Sequence, residues 1–187
     1  MSELQGVTYR TADNWRGFIP EYTDPIRYLE IGTFYGANLM SVAKTYAFHP
    51  DSRMVCIDPW IDYDEYPEYK GVQDAIYSKF LTNVSSISEK LTIHRGFSHD
   101  ILHTLPDNSF DVIYIDGNHM PEYVLEDGVL SFRKLKVGGY LIFDDYGWGG
   151  PDLTQRGIDC FLCGYRNRID STHVGIRFSQ VFVKKTS

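Results

Sequence analysis

The sequence predicts an α/β fold: a doubly wound, mostly parallel sheet with helices on both faces. Three observations predict it. Five short apolar runs alternate with helix-length stretches along residues 27–143. The runs are apolar on both alternations, as strands covered on two faces must be. Each run gives way to a glycine or an aspartate: Gly32, Asp58, Gly96, Asp116 and Asp144. In such sheets ligands bind beyond the carboxyl ends of the strands, so these terminal residues form the candidate site.

The elements follow in order. Residues 1–25 are polar and aromatic, with Pro20 and Pro25, and read as an irregular arm or one short helix. Residues 26–187 form one domain. Residues 27–31 are a strand that Gly32 punctuates. Residues 37–48 are helical, with Leu39, Val42, Ala43 and Tyr46 at three- and four-residue spacings. His49-Pro50-Asp51-Ser52 is a turn. A second strand, 54–57, ends at Asp58. Residues 60–70 are an aromatic, acidic insertion containing Pro67. Residues 72–84 are a helix with Ile76, Phe80 and Val84 in register. Residues 91–94 are the third strand, 98–105 a short helix, and 110–115 the fourth strand, ending at Asp116. Residues 121–135 are a helix with Leu125, Val129 and Phe132 on one face. Gly138-Gly139 turns the chain into the fifth strand, 140–143. Residues 152–163 are helical, and 174–184 hold one or two closing strands.

Composition narrows the function. A chain of 187 residues supports one core. Lys plus Arg is 18 against 25 Asp plus Glu, a net charge of -7, which gives no long-range attraction to phosphate backbones and disfavours nucleic acid as a partner. No run approaches the length of a membrane span, and the first residues lack the basic start and apolar stretch of a signal peptide. Three cysteines are too few for a disulfide framework, so a reducing cytoplasm is the expected location. Cys160-Phe161-Leu162-Cys163 has no further ligands at zinc spacing and is expected to hold two buried or half-buried thiols.

Four groups at the strand ends carry chemistry. Gly32-Thr33-Phe34-Tyr35-Gly36 allows a sharp turn and close ligand approach, followed by a helix N-terminus. Its Gly-x-x-x-Gly spacing is neither a dinucleotide fingerprint nor a phosphate loop; it suits a carboxylate, with Asn38 as a hydrogen-bonding partner. Asp58 either accepts both hydroxyls of a ribose or caps a turn. Asp116, Asp144 and Asp145 bring three carboxylates to one rim; their repulsion is relieved by a divalent cation, or Asp144-Asp145 is a solvated loop. His119 either takes a proton from a hydroxyl or caps the helix that begins near Pro121.

Together these residues resemble class I S-adenosylmethionine-dependent methyltransferases. Tyr28-Leu29-Glu30-Ile31-Gly32-Thr33-Phe34-Tyr35-Gly36 and Val55-Cys56-Ile57-Asp58-Pro59-Trp60 are similar to their first two motifs. Asp111–His119 and Lys136–Asp145 resemble the fourth and fifth strands of a metal-dependent subgroup that methylates sugars of macrolides and aminocoumarins. The resemblance covers roughly residues 26–185 and implies a Rossmann-like, mostly parallel seven-stranded sheet. It implies that Glu30, Gly32, Thr33, Gly36 and Asn38 shape the cofactor's methionine pocket, and that Asp58 binds ribose. Phe97 and Ser98 fall at adenine, and Asp116 also borders the cofactor. Asp116, Asp144 and Asp145 match metal ligands, and His119 matches a general base.

The activity so implied is O-methylation of a sugar, glycoside or similar small molecule, assisted by Mg²⁺ or another divalent cation. A catechol or phenol acceptor is the alternative within that chemistry. A non-catalytic cofactor-binding protein and a nicotinamide dehydrogenase are alternatives from other classes; the missing middle glycine counts against the dehydrogenase. Trp60, Tyr63, Tyr66 and Tyr69, with Trp15 of the arm, are candidate covers that exclude water. A homo-oligomer, commonest as a dimer, is a possible assembly.

Overall fold

A computed structural model describes residues 4–7, 9–64, 66–174 and 179–187. The elements are β1 (Arg27–Ile31), α1 (Ala37–Lys44), β2 (Arg53–Asp58), α2 (Gln73–Val84), β3 (Leu91–Arg95), α3 (Ser98–Leu102), β4 (Phe110–Ile115), α4 (Pro121–Lys134), β5 (Leu135–Tyr146), α5 (Thr154–Tyr165), β6 (Ile169–Val174) and β7 (Ser179–Lys185). The strands form one seven-stranded sheet in the order β3-β2-β1-β4-β5-β7-β6. Pairing is parallel from β3 to β5, and β7 runs antiparallel to both β5 and β6.

Alternation along the strands builds two cores. Tyr28, Met54, Cys56, Val112 and Tyr114 face one side, against Leu39, Val42, Phe80, Trp15 and Trp60. Leu29, Ile31, Val55, Ile113 and Leu141 face the other, against Val124, Phe132, Ile158 and Phe161. Trp15 and Trp60 are 0% and 1% exposed. They are therefore core residues rather than covers over the site. Trp15 anchors the arm, whose Thr11–Asn14 forms a short 3-10 turn with Ala12 and Ile19 also buried.

Other boundaries differ from expectation for local reasons. The helix after β1 stops at Lys44, where Thr45 leaves helical geometry and folds its hydroxyl back onto Ser41 O at 2.8 Å. Gly138-Gly139 does not precede β5 but lies within it. The register shifts between Phe110↔Leu135 and Val112↔Tyr140, and Gly138 (φ +85°) supplies the left-handed backbone of that bulge. Two strands close the chain, but β6 (Ile169–Val174) ends where the expected closing segment 174–184 begins, and that segment holds only β7; residues 175–178 lie outside the described residues. Cys56 is buried, but Cys160 and Cys163 are exposed. Helix α5 buries Thr154, Gly157, Ile158 and Phe161, which leaves the cysteine pair on its outer face. Among the described residues no helix is long and apolar enough to cross a membrane.

The strand order reverses between β1 and β4, which opens a crevice at their carboxyl ends. Gly32 closes that crevice to within backbone contact. Its N–H reaches Ile57 O at 2.9 Å, its φ is +79°, and a Cβ there would stand 1.8 Å from Asp116 O. Gly32→Ala is expected to cost more than the roughly 1–2 kcal/mol of left-handed strain, because β1 and β4 must also separate. Urea unfolding measures the loss, and a change below that range would show that the two strand ends are free to part.

Candidate active site

The first half of the site is built around the turn that follows β1. Asp58, at the end of β2, accepts from Thr33 N and Phe34 N on Oδ2, both at 2.9 Å, and from Trp60 N on Oδ1 at 2.8 Å. It thus holds the glycine turn in shape, and about one of its four lone-pair directions is left for a ligand. Burial raises its pKa despite these three donors. Glu30 is 1% exposed and accepts from Tyr28 Oη at 2.6 Å and Asn38 Nδ2 at 3.1 Å. Desolvation dominates there and lifts its pKa to about 8. Asn38 Oδ1 in turn accepts from Ala12 N at 2.8 Å, so the amide links the arm to Glu30 and is not open to a carboxylate in this arrangement.

The adenine-side residues sit apart. Phe97 is 43% exposed, with its ring 5.4 Å from that of His99 at 15°. Ser98 begins α3 and hydrogen-bonds Asp127, a buried acid on α4 whose pKa burial lifts to about 7.

The second half lies at the ends of β4 and β5. Ligand atoms of Asp116, His119 and Asp145 all fall within 4.8 Å of one another. His119 is 6% exposed; its Nε2 is 3.2 Å from Asp145 Oδ2, and its Nδ1 is 3.2 Å from Tyr66 Oη. Trp148 packs on the same imidazole, centroids 4.5 Å apart at 31°. Asp145 reaches this position with φ +56°, a conformation aspartate tolerates better than most residues. Asp144 points elsewhere: its carboxylate receives Tyr114 Oη and, at 3.1 Å, Gln180 Nε2. The expected trio of aspartates is therefore brought together only as Asp116 and Asp145, with His119 in the third place and Asp144 one hydrogen bond away. The physical reason is the end of the regular ladder: pairing with β7 is irregular between Phe143 and Tyr146, and the left-handed backbone of Asp145 turns its side chain away from that of Asp144.

The acids at this end repel one another. Asp116 is raised well above the usual carboxylate range by burial and then by Asp144 and Asp145. Asp144 is raised to about 6 by burial and then by Asp145. This donor set fits a divalent cation. Ligand atoms around one Mg²⁺ lie about 3–4 Å apart, within the span found here, and the two carboxylates suit Mg²⁺ or Mn²⁺, whereas the imidazole is a poorer ligand for Mg²⁺.

Several contributors carried no sequence signal strong enough to single them out. Tyr114 precedes Asp116 by two residues on the same strand, so period-two alternation would have placed its ring near the rim. Trp148, Gln180, Thr11 and Asp127 come from loops, the arm, a closing strand and a helix interior, and only the fold brings them in.

The buried acids set a pH dependence. Glu30 at about 8 and Asp127 at about 7 keep protons in the folded chain that the unfolded chain has lost. The unfolded state binds fewer protons in that window, so stability falls as pH rises from about 4 to about 8. Urea unfolding of the ligand-free protein should give lower stability at about pH 8.5 than at about pH 6, with a shallower fall in Glu30→Gln. A flat or rising trend would contradict the assignment.

Comparison with known proteins agrees with this architecture. A family model described as a methyltransferase domain matches residues 29–146. An uncharacterised protein, R132, of Acanthamoeba polyphaga mimivirus is 30% identical over 135 residues; the match takes in 66% of this chain and spans only 52% of that protein. Among solved structures, the O-methyltransferase TomG of Streptomyces achromogenes, in complex with S-adenosylmethionine, superposes with a TM-score of 0.69 at 20% identity, over 86% of this chain and 73% of its own. The methyltransferase PaMTH1 of Podospora anserina, bound to S-adenosylhomocysteine, gives 0.61 at 20% identity, over 87% and 73%. These two show a shared fold. The family match covers more than half of the chain, and with it the glycine turn, Asp58 and the acidic rim: the chain belongs to the methyltransferase-domain family.

Proposed function

We propose that the protein transfers the methyl group of S-adenosylmethionine to a hydroxyl of a small molecule, a sugar or glycoside first, with assistance from a divalent cation. The observation that carries this reading is the meeting of Asp116, His119 and Asp145 at the crevice beside the glycine turn. On this reading the turn from Gly32 to Gly36, with Thr33, seats the methionine part of the donor, and Glu30 and Asn38 face it. Asp58 offers its remaining lone pair to ribose, and Phe97 and Ser98 border adenine.

Asp116 and Asp145 would hold the cation, and Asp144, fixed by Tyr114 and Gln180, is the acid beside them. When bound, the ion supplies Lewis-acid polarisation of the acceptor hydroxyl. His119 takes the hydroxyl proton at Nε2. The same nitrogen cannot hold an ion and accept a proton at once, so the base role leaves the ion to the aspartates. Tyr66 at Nδ1 and Trp148 against the ring fix the imidazole plane. The sulfonium makes the methyl group electrophilic, so displacement is in line, and the protein's largest contribution is alignment, worth about 7–11 kcal/mol in favourable cases. The Trp148 and Tyr66 rings beside His119 also suit a flat phenol, which keeps a catechol as the second reading.

Chelation is expected to abolish turnover, and Mg²⁺ to restore it; full activity in chelator would remove the ion from the mechanism. His119→Ala should lower kcat by roughly 10²- to 10⁴-fold, and a near-normal rate moves the base role to an aspartate. Asp58→Ala should weaken S-adenosylhomocysteine binding in calorimetry and also lower the melting temperature, because three backbone N–H groups lose their acceptor. Unchanged affinity would contradict the ribose assignment. Binding of S-adenosylhomocysteine without methylation of any sugar or phenol offered would favour a non-catalytic role.

A further inference from the structure

The arm meets the site through side chains that the reading above does not use. Thr11 Oγ1 lies 2.9 Å from Tyr114 Oη and 3.2 Å from Asn38 Oδ1. Beyond Asn38 stands Glu30 on the glycine-turn side. Beyond Tyr114 stand Asp116, at 3.2 Å, and Asp144 on the acidic side. A second strut joins the arm to Asp144 alone: Trp15 Nε1 donates to Gln180 Oε1 at 3.0 Å, and Gln180 Nε2 donates to Asp144 Oδ1 at 3.1 Å.

Counting protons fixes the direction of these bonds. Each hydroxyl carries one. The proton of Tyr114 goes to the carboxylates, so its oxygen must accept from Thr11. Asn38 Oδ1 accepts from Ala12 N–H and has a second lone pair, so the one Thr11 proton is shared between Tyr114 Oη, the nearer acceptor, and Asn38 Oδ1. A donor into the phenol oxygen polarises its O–H toward Asp116 and Asp144. On the other side, Ala12 N–H and the Thr11 hydroxyl both donate to Asn38 Oδ1 and hold the amide with Nδ2 turned to Glu30.

We infer that Thr11 is a positioning residue joining the two halves of the site: it aims the Tyr114 phenol at the acidic rim and stands against the Asn38 amide that faces Glu30. What the two halves bind rests on the function proposed above. The arm is therefore part of the site's scaffold and more than a cover over it. Gln180 belongs to the strut that serves only the acidic half.

The test uses the full chain and two probes, S-adenosylhomocysteine by calorimetry and Mn²⁺ by the electron spin resonance of the free ion. Thr11→Val keeps the shape and removes the hydroxyl. It should weaken both probes by about 3- to 10-fold, the span of one net hydrogen bond. Thr11→Ser should restore both. Gln180→Met should weaken Mn²⁺ and leave S-adenosylhomocysteine unchanged. A role in folding alone would lower the melting temperature of Thr11→Val and leave both affinities at wild-type values, and that result overturns the inference, as does failure of Thr11→Ser to restore binding. Wild-type protein that takes S-adenosylhomocysteine but no Mn²⁺ overturns the rim half. Wild-type protein that takes neither overturns the functional reading together with this inference, whereas tight wild-type binding matched by Thr11→Val overturns this inference alone.

Discussion

Burial of carboxyl groups at one end of a parallel sheet is the constraint on which the site depends. Glu30, Asp58, Asp116 and Asp144 all have pKa values raised chiefly by desolvation. Their partners are backbone N–H groups, phenols and amides. Such neutral donors satisfy hydrogen-bonding capacity but neutralise no charge, so the acids retain an unmet demand for a cation or a proton. A fold meant only to be stable would replace them with apolar residues. Their presence together, facing one crevice, is a destabilisation that the donor and ion of the proposed function would offset, since whatever binds the folded state alone stabilises it by mass action.

The crevice itself follows from the approach of β1 to β4. Because Gly32 carries no Cβ, its backbone packs against Asp116 O, and the two strand ends meet at the point where the strand order reverses. Asp116 is thereby pressed toward both the glycine turn and the β5 end. The same packing places Tyr114, two residues earlier, between Glu30's side of the site and Asp144's. One phenol thus stands where the two halves touch.

Much of this was legible in the residues themselves. Strands rich in Val, Ile and Leu on both alternations could only be buried on two faces, and the acids that end them had to share one rim. The helix at 121–134 was readable from the spacing of Leu125, Val129 and Phe132, although the stripe it buries most deeply runs through Val124, Gly128 and Phe132, with Leu125 and Val129 only partly buried. What was not legible depended on direction and long-range contact. Neighbouring aspartates 144 and 145 look equivalent in sequence, yet the strand sends them to different partners. The glycine pair at 138–139 has the composition of a turn, and only pairing with β4 shows it to be a bulge. Trp15 and Trp60 read as covers for the site because their burial is supplied by elements far along the chain. The cysteines at 160 and 163 sit among apolar residues in sequence but off the packed stripe of their helix.

The division of labour between Asp144 and Asp145 bears on how the site tolerates its own charge. Asp144 is 8% exposed and already satisfied by Tyr114 and Gln180, so it resists reorientation. Asp145 is less buried, sits on strained backbone and faces His119. On the proposed function, a fixed acid beside a less buried one would keep one carboxylate in place while the other stays open to an incoming group. Were both acids fixed, the ion of the proposed function would be held without room to adjust to an acceptor, and were both mobile, they would turn outward to water and relax the repulsion that favours a cation. The phenol and amide that immobilise Asp144 are therefore as necessary to the rim as the carboxylates, and both are tied to the arm.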